Sequence, residues 1–70
     1  MKIWLSILRA DGVTPTGHTY DIEEHVRTFL PSVGDEVHID GMADPVVVAR
    51  KRFCYRADGS LEIEIIPRNY

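Results

Sequence analysis

The chain predicts a mainly β protein, a small barrel of about five strands with one short helix, in a single domain over residues 1–70. Three observations predict it. Residues 35–40 alternate Val37 and Ile39 with Glu36, His38 and Asp40, the period-two pattern of a half-buried strand. Residues 45–56 and 61–67 are two strand-like runs on either side of Ala57-Asp58-Gly59, a composition that joins them as a hairpin. Residues 2–9 set Ile3, Leu5 and Ile7 on one face of a further strand.

Seventy residues allow one domain at most. A chain this short buries only about 60% of the surface its unfolded form exposes, so its stability margin is thin. Composition is that of a folded globular protein, 44% hydrophobic and 27% charged, with no low-complexity tract. The net charge of −3 disfavours a general nucleic-acid binder, which carries a basic excess, but leaves room for a local basic strip. A lone cysteine, Cys54, forms no internal disulfide and gives no sign of an oxidising compartment. The apolar run from Ile3 to Leu8 is interrupted by Ser6. It is too short for a membrane span and poor as a signal peptide, so the expectation is a cytoplasmic protein with no membrane partner.

The first strand is apolar on one face but not cleanly polar on the other, which carries Lys2, Trp4, Ser6 and Leu8. Either another segment covers that second face, or Trp4 and Leu8 form an exposed apolar patch and become candidate binding residues. Asp11-Gly12 ends the strand. Residues 12–18 read as a loop, because Pro15 and Gly17 oppose regular structure.

Asp21 with Glu24 three residues on fits a capping box, and Ile22, Val26, Phe29 and Leu30 fall on one stripe. This predicts a helix of about two turns over 22–30, ended by Pro31. An irregular extended segment is the competing reading, since Val26, Thr28 and Phe29 are poor helix formers. The helix would cover one mouth of the barrel or the second face of the first strand.

Pro31 then presets a turn, Gly34 supplies a positive φ, and Asp35 can bond the backbone of its own turn before the alternating strand begins. Gly41 closes that strand. The run Leu30-Pro31-Ser32-Val33-Gly34-Asp35-Glu36-Val37-His38-Ile39-Asp40-Gly41 resembles the turn that leads into a central strand of small SH3-like barrels. The resemblance covers about a dozen residues and the hairpin that follows. It implies a fold and no particular activity.

The hairpin register follows from its two strands together. A two-residue Asp58-Gly59 turn would pair Tyr55 with Glu62 and Phe53 with Glu64, setting charge against the aromatic face. A three-residue loop instead pairs Tyr55 with Leu61, Phe53 with Ile63 and Arg52 with Glu64, which keeps like with like. That loop requires Gly59 in the left-handed region. Val46, Val47 and Val48 are consecutive, so a bulge or sharp bend is expected between Ala49 and Lys51. The predicted core is Ile3, Leu5, Ile7, Val37, Ile39, Phe53, Ile63 and Ile65.

Signals of chemistry are few. His18, His25 and His38 match no zinc spacing, and one cysteine adds no second thiolate, so no metal or other cofactor is expected. Cys54 could act as a nucleophile among Arg50, Arg52 and Arg56, but no local catalytic signature accompanies it. There is no Gly-rich phosphate loop and no helix–strand repeat. The chain therefore reads as a non-enzymatic interaction module. Its first expected partner is a protein, met through the Trp4/Leu8 face or an exposed strand edge, with a homodimer centred on Trp4 as one form of that contact. The alternative is nucleic acid on the strip Arg50-Lys51-Arg52-Phe53-Cys54-Tyr55-Arg56, where cations alternate with aromatics. Against it, Glu62 and Glu64 lie opposite the arginines, and Phe53 and Tyr55 fall on the side assigned to the core.

Overall fold

The computed structural model describes residues 2–22 and 30–70. Its strands are β1 (Ile3–Leu8), β2 (Pro15–Ile22), β3 (Glu36–Val37), β4 (Val46–Tyr55) and β5 (Leu61–Pro67). They form one sheet in the order β2-β1-β5-β4-β3, curled into a half-barrel. The protein is mainly β, and no helix occurs among the described residues. Neighbouring strands are antiparallel except β1 and β5, which run parallel through the middle of the sheet and pair Ile3 with Leu61, Leu5 with Ile63 and Ile7 with Ile65.

The β4–β5 hairpin has the three-residue register. Tyr55 pairs with Leu61, Phe53 with Ile63 and Arg52 with Glu64. Arg56 N–H donates to the Ser60 carbonyl at 2.9 Å, and Gly59, at φ 92°, donates back to the Arg56 carbonyl at 3.1 Å. The bulge lies at Ala49, since Val48 pairs with Pro67 and the next pair is Arg50 with Ile66. One extra residue exchanges the faces of a strand. Val46 and Val48 point inward before the bulge, and Lys51, Phe53 and Tyr55 share that inner face after it, opposite Ile65, Ile63 and Leu61.

The core gathers Ile3, Ile7, Ile39, Val46, Val48, Leu61, Ile63 and Ile65, with Leu5 and Val37 half-buried against it. Phe53 departs from expectation. Its ring is on the core face, yet it is 47% exposed. The reason is the length of β3, which pairs only Val46 and Val47 and leaves the later half of β4 uncovered by any described strand.

Two other expectations are corrected. Residues 12–18 are not all loop, because β2 begins at Pro15. Proline is tolerated there as the first residue of an edge strand, where no ladder donor is needed. Gly17, at φ 88°, sits where the β1–β2 register shifts between Ser6 and Leu8, so it bends the strand rather than ending it. The strand expected over 35–40 pairs only at Glu36–Val37. Ile39 is buried all the same, and Met42 N–H closes a turn onto its carbonyl at 3.0 Å. The alternation there recorded burial without a continuing ladder. In the helix expected over 22–30, residues 23–29 lie outside the described residues, while Asp21 and Ile22 finish β2 opposite Trp4 and Ile3.

Candidate interaction surface

The outer, convex face of the sheet carries a polar network built on the alternation of β4 and β5. Arg50, Arg52, Cys54 and Arg56 follow one another at every second position, beside Glu62 and Glu64. Arg52 donates from Nε to Glu64 at 2.6 Å and from Nη2 to the Gly12 carbonyl at 2.7 Å, tying β4 across β5 to the β1–β2 connection. Arg56 donates to Glu62, which also accepts from the Ser6 hydroxyl at 3.0 Å. Ser6 lies 3.3 Å from the Thr19 hydroxyl on β2. Two clusters result, Arg52–Glu64–Cys54 and Arg56–Glu62–Ser6–Thr19, and between them they draw on every strand except β3.

Charge states follow from these contacts. Burial would raise the Glu64 carboxyl, but the Arg52 bond and the Cys54 contact outweigh it and hold the carboxyl below its ordinary value. Burial pushes the Cys54 thiol up, as does its hydrogen bond to Glu64 at 3.3 Å, so the sulfur stays protonated despite Arg52 and Arg56 nearby. Arg50 is the exposed member of the row with no carboxylate partner among the described residues.

Trp4 and Leu8, the two apolar candidates of this face, do not form one patch. Trp4 is half-buried, with Lys2 Nζ 5.3 Å from its ring centroid and Lys2 in turn bonded to Asp21 at 2.9 Å. Leu8 is only 5% exposed, and Ile66 only 1%. The β1–β2 connection covers this corner. Gly12 is buried there, and a Cβ built on it would lie 3.7 Å from Ile66 Cδ1. Of the two outcomes open for the second face of β1, the covered one applies at Leu8.

The exposed apolar surface is on the other side of β4. Phe53 is 47% and Tyr55 78% exposed, and Lys51 Nζ stands 5.9 Å from the Phe53 ring. With Leu30 and Ser32 they line a groove whose floor is Leu61 and Ile63, both buried. The backbone beside this groove is also informative. The closing Arg56–Ser60 bond fixes the alternation, so Arg52 and Cys54 turn their N–H and C=O groups toward β5, and Lys51, Phe53 and Tyr55 turn theirs away. Gly34 and Asp35 bond the Val48 backbone at 2.8 and 3.0 Å. Beyond Val48, no backbone bond to this side of β4 occurs among the described residues.

Sequence reasoning placed Phe53 and Tyr55 on the correct face but missed that both rings are exposed there, with no described strand beside them. The signal was the mismatch between a strand candidate of six residues, 35–40, and one of twelve, 45–56, which the shorter could not cover.

Among the described residues, no three His, Cys, Asp or Glu side chains converge as a metal site, and no helix is long and apolar enough to cross a membrane. The chain matches no family model, and neither a curated protein nor a solved structure shows significant similarity to it.

Proposed function

We propose that this protein is a non-enzymatic interaction module of SH3-like kind that takes an extended segment of a protein partner alongside β4. The observation that carries the reading is the coincidence, at Lys51 to Tyr55, of outward backbone donors and acceptors with two exposed rings beside an apolar floor. An added strand gains affinity from main-chain bonds and selectivity from alternate side chains that meet the groove. Exposed edges otherwise invite uncontrolled pairing, and the short reach of β3 leaves this one unpaired among the described residues. A dimer centred on Trp4 has less support, because Leu8 is buried and the Trp4 ring lies under Lys2.

Peptides selected from a random display library and titrated into ¹⁵N-labelled protein test the reading. The amides of Lys51, Phe53 and Tyr55 should shift, and Phe53→Ala should weaken binding by about tenfold or more while the fold persists. Shifts centred on Lys2, Trp4 and Asp21 would move the site to the other face. Binding of single-stranded oligonucleotides alone, lost steeply with salt, would replace a protein partner by nucleic acid.

A further inference from the structure

The tetrapeptide Arg-Ala-Asp-Gly occurs twice, at residues 9–12 and 56–59. Both copies fold into the same local turn. Gly12 N–H donates to the Arg9 carbonyl at 2.9 Å, and Gly59 N–H to the Arg56 carbonyl at 3.1 Å. Each glycine is left-handed, at φ 73° and 92°. Each aspartate carboxylate accepts from backbone N–H groups that follow it, Asp11 from Val13 and Thr14, and Asp58 from Ser60. One sequence in one conformation thus stands in two environments.

At the first copy, Gly12 is buried and its carbonyl accepts from Arg52 Nη2 at 2.7 Å. The Arg50 guanidinium packs against it, since a Cβ on Gly12 would stand 2.7 Å from Arg50 Nη2. Ala10 N–H donates to the Tyr70 carbonyl at 2.6 Å, and the Thr14 hydroxyl adds a third bond to the Asp11 carboxylate. At the second copy, all four residues are exposed. The Asp58 carboxylate accepts from the N–H and the hydroxyl of Ser60 at 2.9 and 2.7 Å, bonds that stay within the loop itself.

We propose that Asp58 is a site of spontaneous isoaspartate formation, and that the fold protects its counterpart Asp11. The Gly59 nitrogen attacks Cγ of the protonated Asp58 side chain. The N–Cγ bond forms, and the amide hydrogen leaves with the carboxyl hydroxyl as water. Water then adds to the main-chain carbonyl carbon of residue 58 in the cyclic imide and breaks its bond to nitrogen. The chain now runs through Cβ and Cγ of residue 58, one methylene longer, with a free α-carboxylate and an unchanged mass. Glycine favours the attack because no side chain hinders its approach. The turn must open first, because Gly59 N–H is bonded to Arg56 and Ser60 holds the carboxylate. Opening the hairpin tip breaks bonds within 56–60, whereas opening residues 9–12 also breaks those to Arg52 and Tyr70. This chemistry stands apart from docking at β4, since it draws on no partner.

Protein aged at physiological temperature and neutral pH tests it. After digestion, the peptides carrying Asp11 and Asp58 are separated and assayed with an isoaspartyl methyltransferase. Isoaspartate should accumulate at Asp58 about tenfold or more faster than at Asp11. In urea, where both turns are open, the two rates should converge. Arg52→Met should raise the rate at Asp11 and leave that at Asp58 unchanged. Equal rates in the folded protein would overturn the proposal. So would a folded protein that forms no isoaspartate at Asp58 while forming it readily in urea. A difference that persists in urea, or an Asp11 rate that Arg52→Met does not raise, would overturn the protection assigned to the fold.

Discussion

Phe53 and Ile63 face each other across the β4–β5 ladder, yet Ile63 is wholly buried and Phe53 is half exposed. The pair marks the line where the interior of the half-barrel gives way to the open groove. Ile63 has β1 on its far side, through Leu5, whereas Phe53 has no described strand beyond it.

Truncation should therefore separate the two. Ile63→Ala removes a core side chain and should cost about 2–5 kcal/mol, enough to unfold a domain of this size. Phe53→Ala should cost about 1 kcal/mol or less, because much of its ring already meets solvent. Urea denaturation midpoints check both, and a Phe53→Ala loss as large as that of Ile63→Ala would mean the groove is closed in solution.

Gly59 holds φ 92° with no atom within 4 Å of where a Cβ would sit. A substitution there meets backbone strain and no clash. Gly59→Ala should cost about 1 kcal/mol, and Gly59→Asn less, since asparagine enters the left-handed region more readily. If the two variants have equal denaturation midpoints, strain at this turn is not what the glycine relieves.

Asp11 organises the β1–β2 connection. Its carboxylate accepts from the Thr14 hydroxyl, from Thr14 N–H at 2.8 Å and from Val13 N–H at 2.9 Å, which together bring its pKa down to about 2. A carboxyl whose pKa falls on folding adds stability above its unfolded value of 3.8, and that contribution is lost as pH falls through about 2. Between these limits Asp11→Asn should flatten the acid dependence of stability. A carboxyl carbon NMR titration with a midpoint near 3.8 would show that the connection is not held this way.

Arg52 and Glu64 are coupled by the bond from Nε, and Glu64 remains largely shielded by its neighbours. Arg52→Met should therefore raise the Glu64 pKa, because the effect of burial remains when the cation is gone. It should also release Gly12 from β4, visible as faster amide exchange in residues 9–14. An unchanged Glu64 titration in this variant would count against the ion pair as the cause of its low pKa.

Much of this architecture was legible from residue pattern. The hairpin register followed from the two faces of residues 45–56 and 61–67, and the bulge from three consecutive valines ahead of alternating cations. Local chemistry specifies such features. What stayed hidden depends on how far one strand reaches past another. Leu8 and Phe53 each sat in a plausible strand pattern, and their burial was decided by remote segments. The β1–β2 connection covers the first, and the short β3 leaves the second open. Pro15 and Gly17 misled for a related reason, since an edge strand tolerates residues that a central one rejects.

The extra residue at Ala49 gives β4 something like a reading frame. Upstream of it the even-numbered valines face inward, and downstream the odd-numbered Lys51, Phe53 and Tyr55 do. Removing Ala49 alone would leave a regular strand with both halves in phase, because Arg50 would follow Val48 on the convex side while Lys51, Phe53 and Tyr55 stayed inside. Removing Ala49 and Arg50 together would break the frame: holding Val46 and Val48 inside would then turn Arg52 and Arg56 to the concave side and send Phe53 and Tyr55 outward. The double deletion should therefore be far more damaging than the single deletion of Ala49, a contrast that circular dichroism melts of the two variants would reveal.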